Sequence, residues 1–243
     1  MNKTFLLNNV RIVLSHTSHP GNIGSAARAM KTMGLSDLRL VNPKQFPDPV
    51  AHAMSSGAQD VLENAQVCTS LDEALGGSVF AVGCTARRRD LSHEMLSARE
   101  VAPLLLKHAA QQRVALVFGT EMSGLTNAEL DRCQLLAHIP SNPDYSSLNL
   151  ASAVQILCYE LRCALPELPM LPADADTPEL AQHEEIELFY HELELTLISA
   201  KFLNPAAPRR LMTRLRRLYS RTRLEKEELH FLMGIVKAMR KVD

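Results

Sequence analysis

Apolar and polar positions fall into short blocks along the first two thirds of the chain, and the blocks switch between strand and helix character. Arg11-Ile12-Val13-Leu14-Ser15 is a short β-rich run. After a turn, apolar residues recur at helical spacing over 23–33, and Gly34 is placed to cap that helix. Leu38-Arg39-Leu40-Val41 is the next strand, stopped by Asn42-Pro43. A helix near 50–56, strands around Val67 and over 79–84, and a helix over 98–111 follow. They lead into Val114-Ala115-Leu116-Val117-Phe118, a run without a polar residue, which predicts a strand buried on both faces. A strand over 134–139 and a long helix from about 147 to 165 complete the series. The alternation predicts an α/β domain over residues 1–165 with a mostly parallel sheet. Pro166, Pro169, Pro172 and Pro178 punctuate a linker over 166–180. Residues 181–243 carry only helical patterns, over 183–200, 209–219 and 225–241, and predict a small all-helical extension.

Composition narrows the class. The chain has 243 residues, 46% of them apolar, which is enough for a sizeable core and too apolar for a disordered chain. The five cysteines (Cys68, Cys84, Cys133, Cys158, Cys163) form no C-x-x-C pair, and the nine histidines form no H-E-x-x-H, so no metal site is expected. Reduced, buried thiols are the simple reading. The N-terminal apolar run is too short for a signal peptide, and no stretch reaches the roughly 18 apolar residues of a membrane span. A cytoplasmic protein is expected, with no membrane partner.

Charge changes the picture further. Lys and Arg total 26 against 27 Asp and Glu, but the balance is uneven. From Lys201 onward there are 12 basic and 4 acidic residues, leaving 14 against 23 in the body. Seven arginines fall within 209–223, interleaved with Leu211, Leu215 and Leu218 at helical spacing. One reading is a solvated helix face or a counter-charge to the acidic body. The sharper one is polyanion binding, because arginine pairs with phosphate bidentately. Arg214, Arg217 and Arg221, three and four apart, would share one face and contact RNA. The competing account pairs these arginines with the acidic helix over 183–200.

In a parallel sheet, ligands gather at the carboxyl ends of strands. Three loops there carry unusual residues. The first is Gly21-Asn22-Ile23-Gly24-Ser25-Ala26-Ala27-Arg28-Ala29, whose glycines permit close backbone approach, although G-x-x-G alone also fits a structural turn. The second is Leu116-Val117-Phe118-Gly119-Thr120-Glu121-Met122-Ser123-Gly124-Leu125-Thr126. Thr126 and Glu129 form a T-x-x-E capping signal, which leaves Glu121 unexplained. At Gly119 a side chain would fill space that a ligand's approach needs. The third runs Ile139-Pro140-Ser141-Asn142-Pro143-Asp144-Tyr145-Ser146-Ser147-Leu148-Asn149-Leu150-Ala151. A serine-rich helix start would present N–H donors and hydroxyls, and a serine cap would leave Asn149 without a purpose.

Taken together, N-x-G-x-x-x-R-A, then L-V-x-G-x-E-x-x-G-L, then I-P-x-x-x-x-x-x-S-L-N-L-A-x-A-V resembles the three motifs of the SpoU branch of the SPOUT RNA 2′-O-methyltransferases. The stretch from Asn142 to Leu150 and the helical extension are similar to the TrmJ family within it. The resemblance covers nearly the whole chain. Thr120 and Met122 depart from it, since members of that family tend to carry arginine there.

The resemblance implies a C-terminal trefoil knot in the α/β domain, S-adenosylmethionine bent inside it, a homodimer, and methylation of the ribose of nucleotide 32 in the tRNA anticodon loop, on cytidine or uridine. It assigns the cofactor to Cys84, Thr85, Ala86, Gly119, Ile139, Ser146, Ser147 and Leu148. It assigns catalysis to Arg28, Asn22 and Glu121. Methyl transfer to a ribose hydroxyl is an in-line displacement that needs proton removal and alignment. Arg28 would be either an unusual base or a clamp on the neighbouring phosphate. Asn22 would fix Arg28 or the ribose, and Glu121, acting ionised, would hold the loop or a donor in place. Another tRNA position or ribosomal RNA would fit the same chemistry. An RNA-binding protein without catalysis is the non-enzyme alternative.

Overall fold

The computed structural model describes residues 3–86, 94–165 and 179–240. A short 3-10 helix, Lys3–Asn9, leads into β1 (Val10–Ser15), α1 (Pro20–Met33), β2 (Asp37–Val41), α2 (Pro49–Ser55), α3 (Gln59–Glu63), β3 (Gln66–Cys68), α4 (Leu71–Leu75) and β4 (Ser78–Cys84). Then come β5 (Met95–Ser97), α5 (Ala98–Ala109), β6 (Arg113–Phe118), α6 (Asn127–Leu130), β7 (Leu135–His138) and α7 (Leu150–Ala164). The last elements are α8 (His183–Ser199), α9 (Leu211–Ser220) and α10 (Lys226–Arg240). The chain divides into two compact units, Met1–Met170 and Leu171–Asp243. The proline-rich stretch over 166–180 lies outside the described residues except for Glu179 and Leu180. No helix among the described residues is long and apolar enough to cross a membrane.

All seven strands run parallel, in the order β3-β2-β1-β6-β4-β7-β5. β1 is buried throughout, and β6 is buried from Val114 to Phe118, as helices on both faces of a parallel sheet require. Val13, Ala81, Ala115 and Val117 face α4 and α6, where Leu71, Leu75, Leu125, Leu130 and Cys133 complete one apolar layer. Arg11 is buried in that layer without an orphaned charge. Its guanidinium pairs with Asp37 at 3.0 Å and donates to the carbonyls of Ala74 and Gly76, both at 2.8 Å, at the end of α4.

Parallel pairing has one consequence for function. The carboxyl ends of β1, β6, β4 and β7 are neighbours in the sheet, so the loops after them share one edge.

α1 begins three residues before the apolar periodicity does. Pro20 occupies the first position, where its missing N–H costs nothing, and the His19 ring accepts a hydrogen bond from the Gly21 amide at 3.0 Å. Gly34, at φ 89°, closes the helix in the left-handed conformation that favours glycine. Gly24 serves packing inside the protein. A Cβ there would lie 2.0 Å from the Ala51 carbonyl oxygen of α2. The close approach that this glycine permits is therefore helix against helix.

The C-terminal unit has its own small core of Ala181, Phe189, Tyr190, Leu224, Leu229 and Val236. Phe189 and Tyr219 meet edge to face with ring centroids 5.1 Å apart. The Ala181 amide donates to the Leu224 carbonyl (2.9 Å) and the Lys226 amide to that of Glu179 (2.8 Å), tying the start of the unit to the α9–α10 turn.

Gly24→Ala should destabilise the N-terminal unit by about 1–3 kcal/mol, the range for overpacking a tight contact. Urea unfolding followed by circular dichroism measures it. A neutral effect would mean that α1 and α2 separate freely.

Candidate active site

The loop after β6 is folded tightly on itself. The Gly124 amide donates to the Thr120 carbonyl (2.9 Å), the Thr120 and Ser123 hydroxyls are 2.7 Å apart, and Gly124 takes φ 69°. A Cβ on Gly119 would lie 2.1 Å from the Gly124 carbonyl carbon and 2.2 Å from the Leu125 nitrogen. This corrects the reason for that glycine: the returning loop backbone, not a ligand, is what excludes a side chain. Thr126 and Glu129 then form the expected capping box on α6, and Glu129 also accepts a hydrogen bond from the buried Ser15 hydroxyl at the end of β1.

This turn aims Glu121 at the start of α1. Its carboxylate accepts from the Asn22 side-chain amide (2.8 Å), the Ser18 hydroxyl (2.8 Å) and amide (3.1 Å), and the His19 amide (3.3 Å). Burial pushes the pKa of Glu121 up. Hydrogen bonds from Asn22, from its own backbone and from Ser18 outweigh that and hold it down, at about 2. The group is ionised at any physiological pH.

A carboxylate only accepts, so Asn22 must present its NH2 to Glu121 and its carbonyl oxygen elsewhere. That oxygen accepts from the Asn149 amide at 3.0 Å, and the Asn149 oxygen accepts in turn from the Ala151 and Ser152 amides of α7. Asn149 is therefore the cap of α7, a role the sequence assigned to a serine. Ser146, Ser147 and Leu148 precede the helix, outside any helix or strand. Glu121, Asn22 and Asn149 form one hydrogen-bonded line through all three motif loops.

Beside this line lies a cleft of about 340 Å³ between the loops after β4, β6 and β7. Cys84, Thr85, Ala86, Gly119, Ile139, Ser146, Ser147 and Leu148 all line it, as does Glu121. Phe118, Asp144, Tyr145, Leu150 and Ala153 also line it and were missed, because only folding brings them to this edge. The mouth includes Met122, 90% exposed, while Thr120 is used inside its own turn. Among the described residues the lining holds two carboxylates, Glu121 and Asp144, and no Lys, Arg or His. Burial pushes the Cys84 thiol up to about 12, so it stays a neutral contact surface.

Arg28 stands apart. It is exposed on α1, is not among the residues lining the cleft, and makes no ion pair with a described carboxylate. The structure thus brings Asn22 and Glu121 together and leaves Arg28 outside.

The arginines of α9 divide in a way the spacing did not foretell. Arg214 and Arg221 are exposed, but Arg217 is half-buried and its Nε has no hydrogen-bond partner among the described residues. The contact with the acidic helix belongs to Arg216, which grips Glu187 bidentately at 2.5 and 2.7 Å and lies 4.3 Å over the Tyr190 ring. Arg240 pairs with Glu192 of the same helix at 3.0 Å.

Two measurements test the hydrogen-bonded line. Asn149→Ala should cost about 1 kcal/mol as a lost helix cap, while Asn149→Asp should keep the cap yet lose the link to Asn22. The stabilisation from Glu121 is complete above its ordinary pKa of 4.5 and is lost as pH falls through about 2. The stability difference between wild type and Glu121→Gln should therefore be flat from about pH 5 to about pH 8 and shrink below about pH 4. A difference that varies with pH near neutrality would contradict this environment for Glu121.

Comparison with known proteins bears on the same residues. The profile of the SpoU rRNA methylase family matches residues 9–159, and that of the tRNA methyltransferase TrmJ C-terminal domain matches residues 184–242. The chain is 49% identical over 98% of its length to the tRNA (cytidine/uridine/adenosine-2′-O-)-methyltransferase TrmJ of Pseudomonas aeruginosa (strain UCBPP-PA14), covering 96% of that protein. It is 46% identical over 97% of its length to the tRNA (cytidine/uridine-2′-O-)-methyltransferase TrmJ of Photorhabdus laumondii, covering 98% of it. Among solved structures, TrmJ from Z. mobilis ZM4 superposes with a TM-score of 0.83 at 30% identity, over 95% of this chain and 98% of that one. With both profiles matched in order and relatives aligned from end to end, the chain belongs to the SpoU methylase family, in its TrmJ group.

Proposed function

We propose that this protein methylates the 2′-hydroxyl of a tRNA ribose, at nucleotide 32 of the anticodon loop, using S-adenosylmethionine held in the cleft between the loops after β4, β6 and β7. The observation that carries the reading is the convergence of the eight residues that the resemblance assigns to the cofactor on one cleft beside the Glu121–Asn22–Asn149 line. The lining suits the ligand. Ile139, Leu148 and Leu150 offer apolar surface to an adenine, and the carboxylates of Glu121 and Asp144 suit a positively charged sulfonium.

S-adenosylmethionine, when bound, supplies an electrophilic methyl group on a cationic sulfur. The chain's own residues do the positioning. Ionised Glu121 fixes the loop after β6 against Ser18 and Asn22, and Asn22 passes that constraint to the cap of α7. A guanidinium stays protonated, so Arg28 fits the role of a clamp on the phosphate beside the reacting ribose better than that of a base. The trefoil knot and the homodimer belong to the same reading through the family resemblance; sedimentation at micromolar concentration tests the second. The α/β unit, the stretch over 166–180 and the helical unit from 181 onward would serve as methyltransferase domain, linker and RNA-gripping extension.

Calorimetry with S-adenosylhomocysteine should give one site per subunit; no binding would return the chain to the class of RNA-binding proteins without catalysis. Arg28→Ala should abolish turnover and leave that affinity within a few-fold, and near-normal turnover would remove Arg28 from the site. Mapping 2′-O-methyl groups in RNA from a strain lacking the protein should reveal loss at nucleotide 32. The relatives' names differ on adenosine, so tRNA transcripts carrying each base at that position determine which are accepted. Loss confined to another tRNA position or to ribosomal RNA would reassign the substrate.

A further inference from the structure

A second cavity, wholly within the C-terminal unit, opens where the chain leaves α8 and enters α9. Phe202, Asn204, Arg209 and Arg214 line it, with Leu203 and Leu211 among its apolar surface. Phe202 is 71% exposed. A lone exposed ring needs no explanation, but this one shares a cavity with two arginines that make no ion pair with any described residue. No Asp or Glu lies between Glu194 and Glu225. The cavity also adjoins the start of α9, where Arg210 takes φ 59° and offers no side-chain cap, and where the first turn has no acid. The partial positive charge of that helix end adds to the arginines.

We propose that this cavity is a subsite for an unpaired RNA nucleotide, whose base stacks on Phe202 while its flanking phosphates are held by Arg209 and Arg214. The inference rests on the proposed tRNA substrate and adds the kind of nucleotide that this unit grips. A ring with cations on its flank accepts any base through its π-face and the backbone through its charge. Bases stacked inside a duplex expose no face to such a ring, so the site selects loop or strand-end nucleotides.

The test uses the full-length protein with three fluorescent probes: tRNA, a single-stranded oligouridylate, and a blunt RNA duplex of equal length. Phe202→Ala should weaken binding of the oligouridylate about tenfold, with a smaller loss for tRNA and none for the duplex. Phe202→Leu, which keeps apolar bulk without a π-face, should behave like Phe202→Ala, and Phe202→Trp should bind like wild type. None of the three should alter the salt dependence. Arg209→Gln with Arg214→Gln should weaken every probe and flatten the single-strand salt slope by about 0.7 per arginine. S-adenosylhomocysteine affinity should be the same throughout. Wild-type binding by Phe202→Leu, or an equal loss on the duplex, would overturn the stacking site. An unchanged slope in the double arginine variant would overturn the phosphate contacts. Tight tRNA binding that is indifferent to Phe202 sinks the subsite alone, whereas no tRNA binding by the wild type sinks the substrate reading with it.

Discussion

The Glu121 carboxylate organises the edge of the sheet where the three motif loops meet. Four donors from Ser18, His19 and Asn22 converge on it. Because an ionised carboxylate has only acceptor capacity, it dictates which way the Asn22 amide points, and Asn22 dictates the direction of Asn149. The loops after β1, β6 and β7 are thereby locked in one register. Two walls of the cleft, the loops after β6 and β7, are tied together through this line. This arrangement also explains why burial fails to neutralise Glu121: the hydrogen bonds that would be lost on protonation outweigh the cost of desolvation.

Much of this was legible in the residues. The apolar run over 114–118 declared a strand covered on both faces, and the alternation of strands and helices gave the parallel sheet and its functional edge. The misses have physical causes. α3, α4 and α6 have five residues or fewer, too short for a 3.6-residue period to register. β5 has three residues, none fully buried. Pro20 drew α1 back beyond its first apolar residue, and Asn149 displaced the serines as cap because it also had a partner in Asn22. Gly24 and Gly119 announced close approach correctly but not what approaches, which depends on α2 and on the returning loop.

The basic helix teaches a related lesson. Its seven-arginine stretch suggested either a counter-charge or a polyanion surface, and the counter-charge is realised at one position. Arg216, half-buried over Tyr190, spends its fork on Glu187. Arg214 and Arg221, a few residues to either side, remain in solvent. Spacing assigns residues to a face of a helix, but it does not tell which face the neighbouring helices will claim.

One property of the carboxylate line reaches beyond the single molecule. Asn22 and Glu121 are 99 residues apart in the chain, and Asn22 and Asn149 are 127 apart. Yet the three side chains satisfy one another as a single unit, and the donor–acceptor order along them permits only one orientation. Drift at one of these positions strands a polar group at the other two, so lineages should exchange the three together or not at all. Evolutionary covariation among 22, 121 and 149 would then be the mark of a shared hydrogen-bond polarity, distinct from any signal left by the ligand or the RNA.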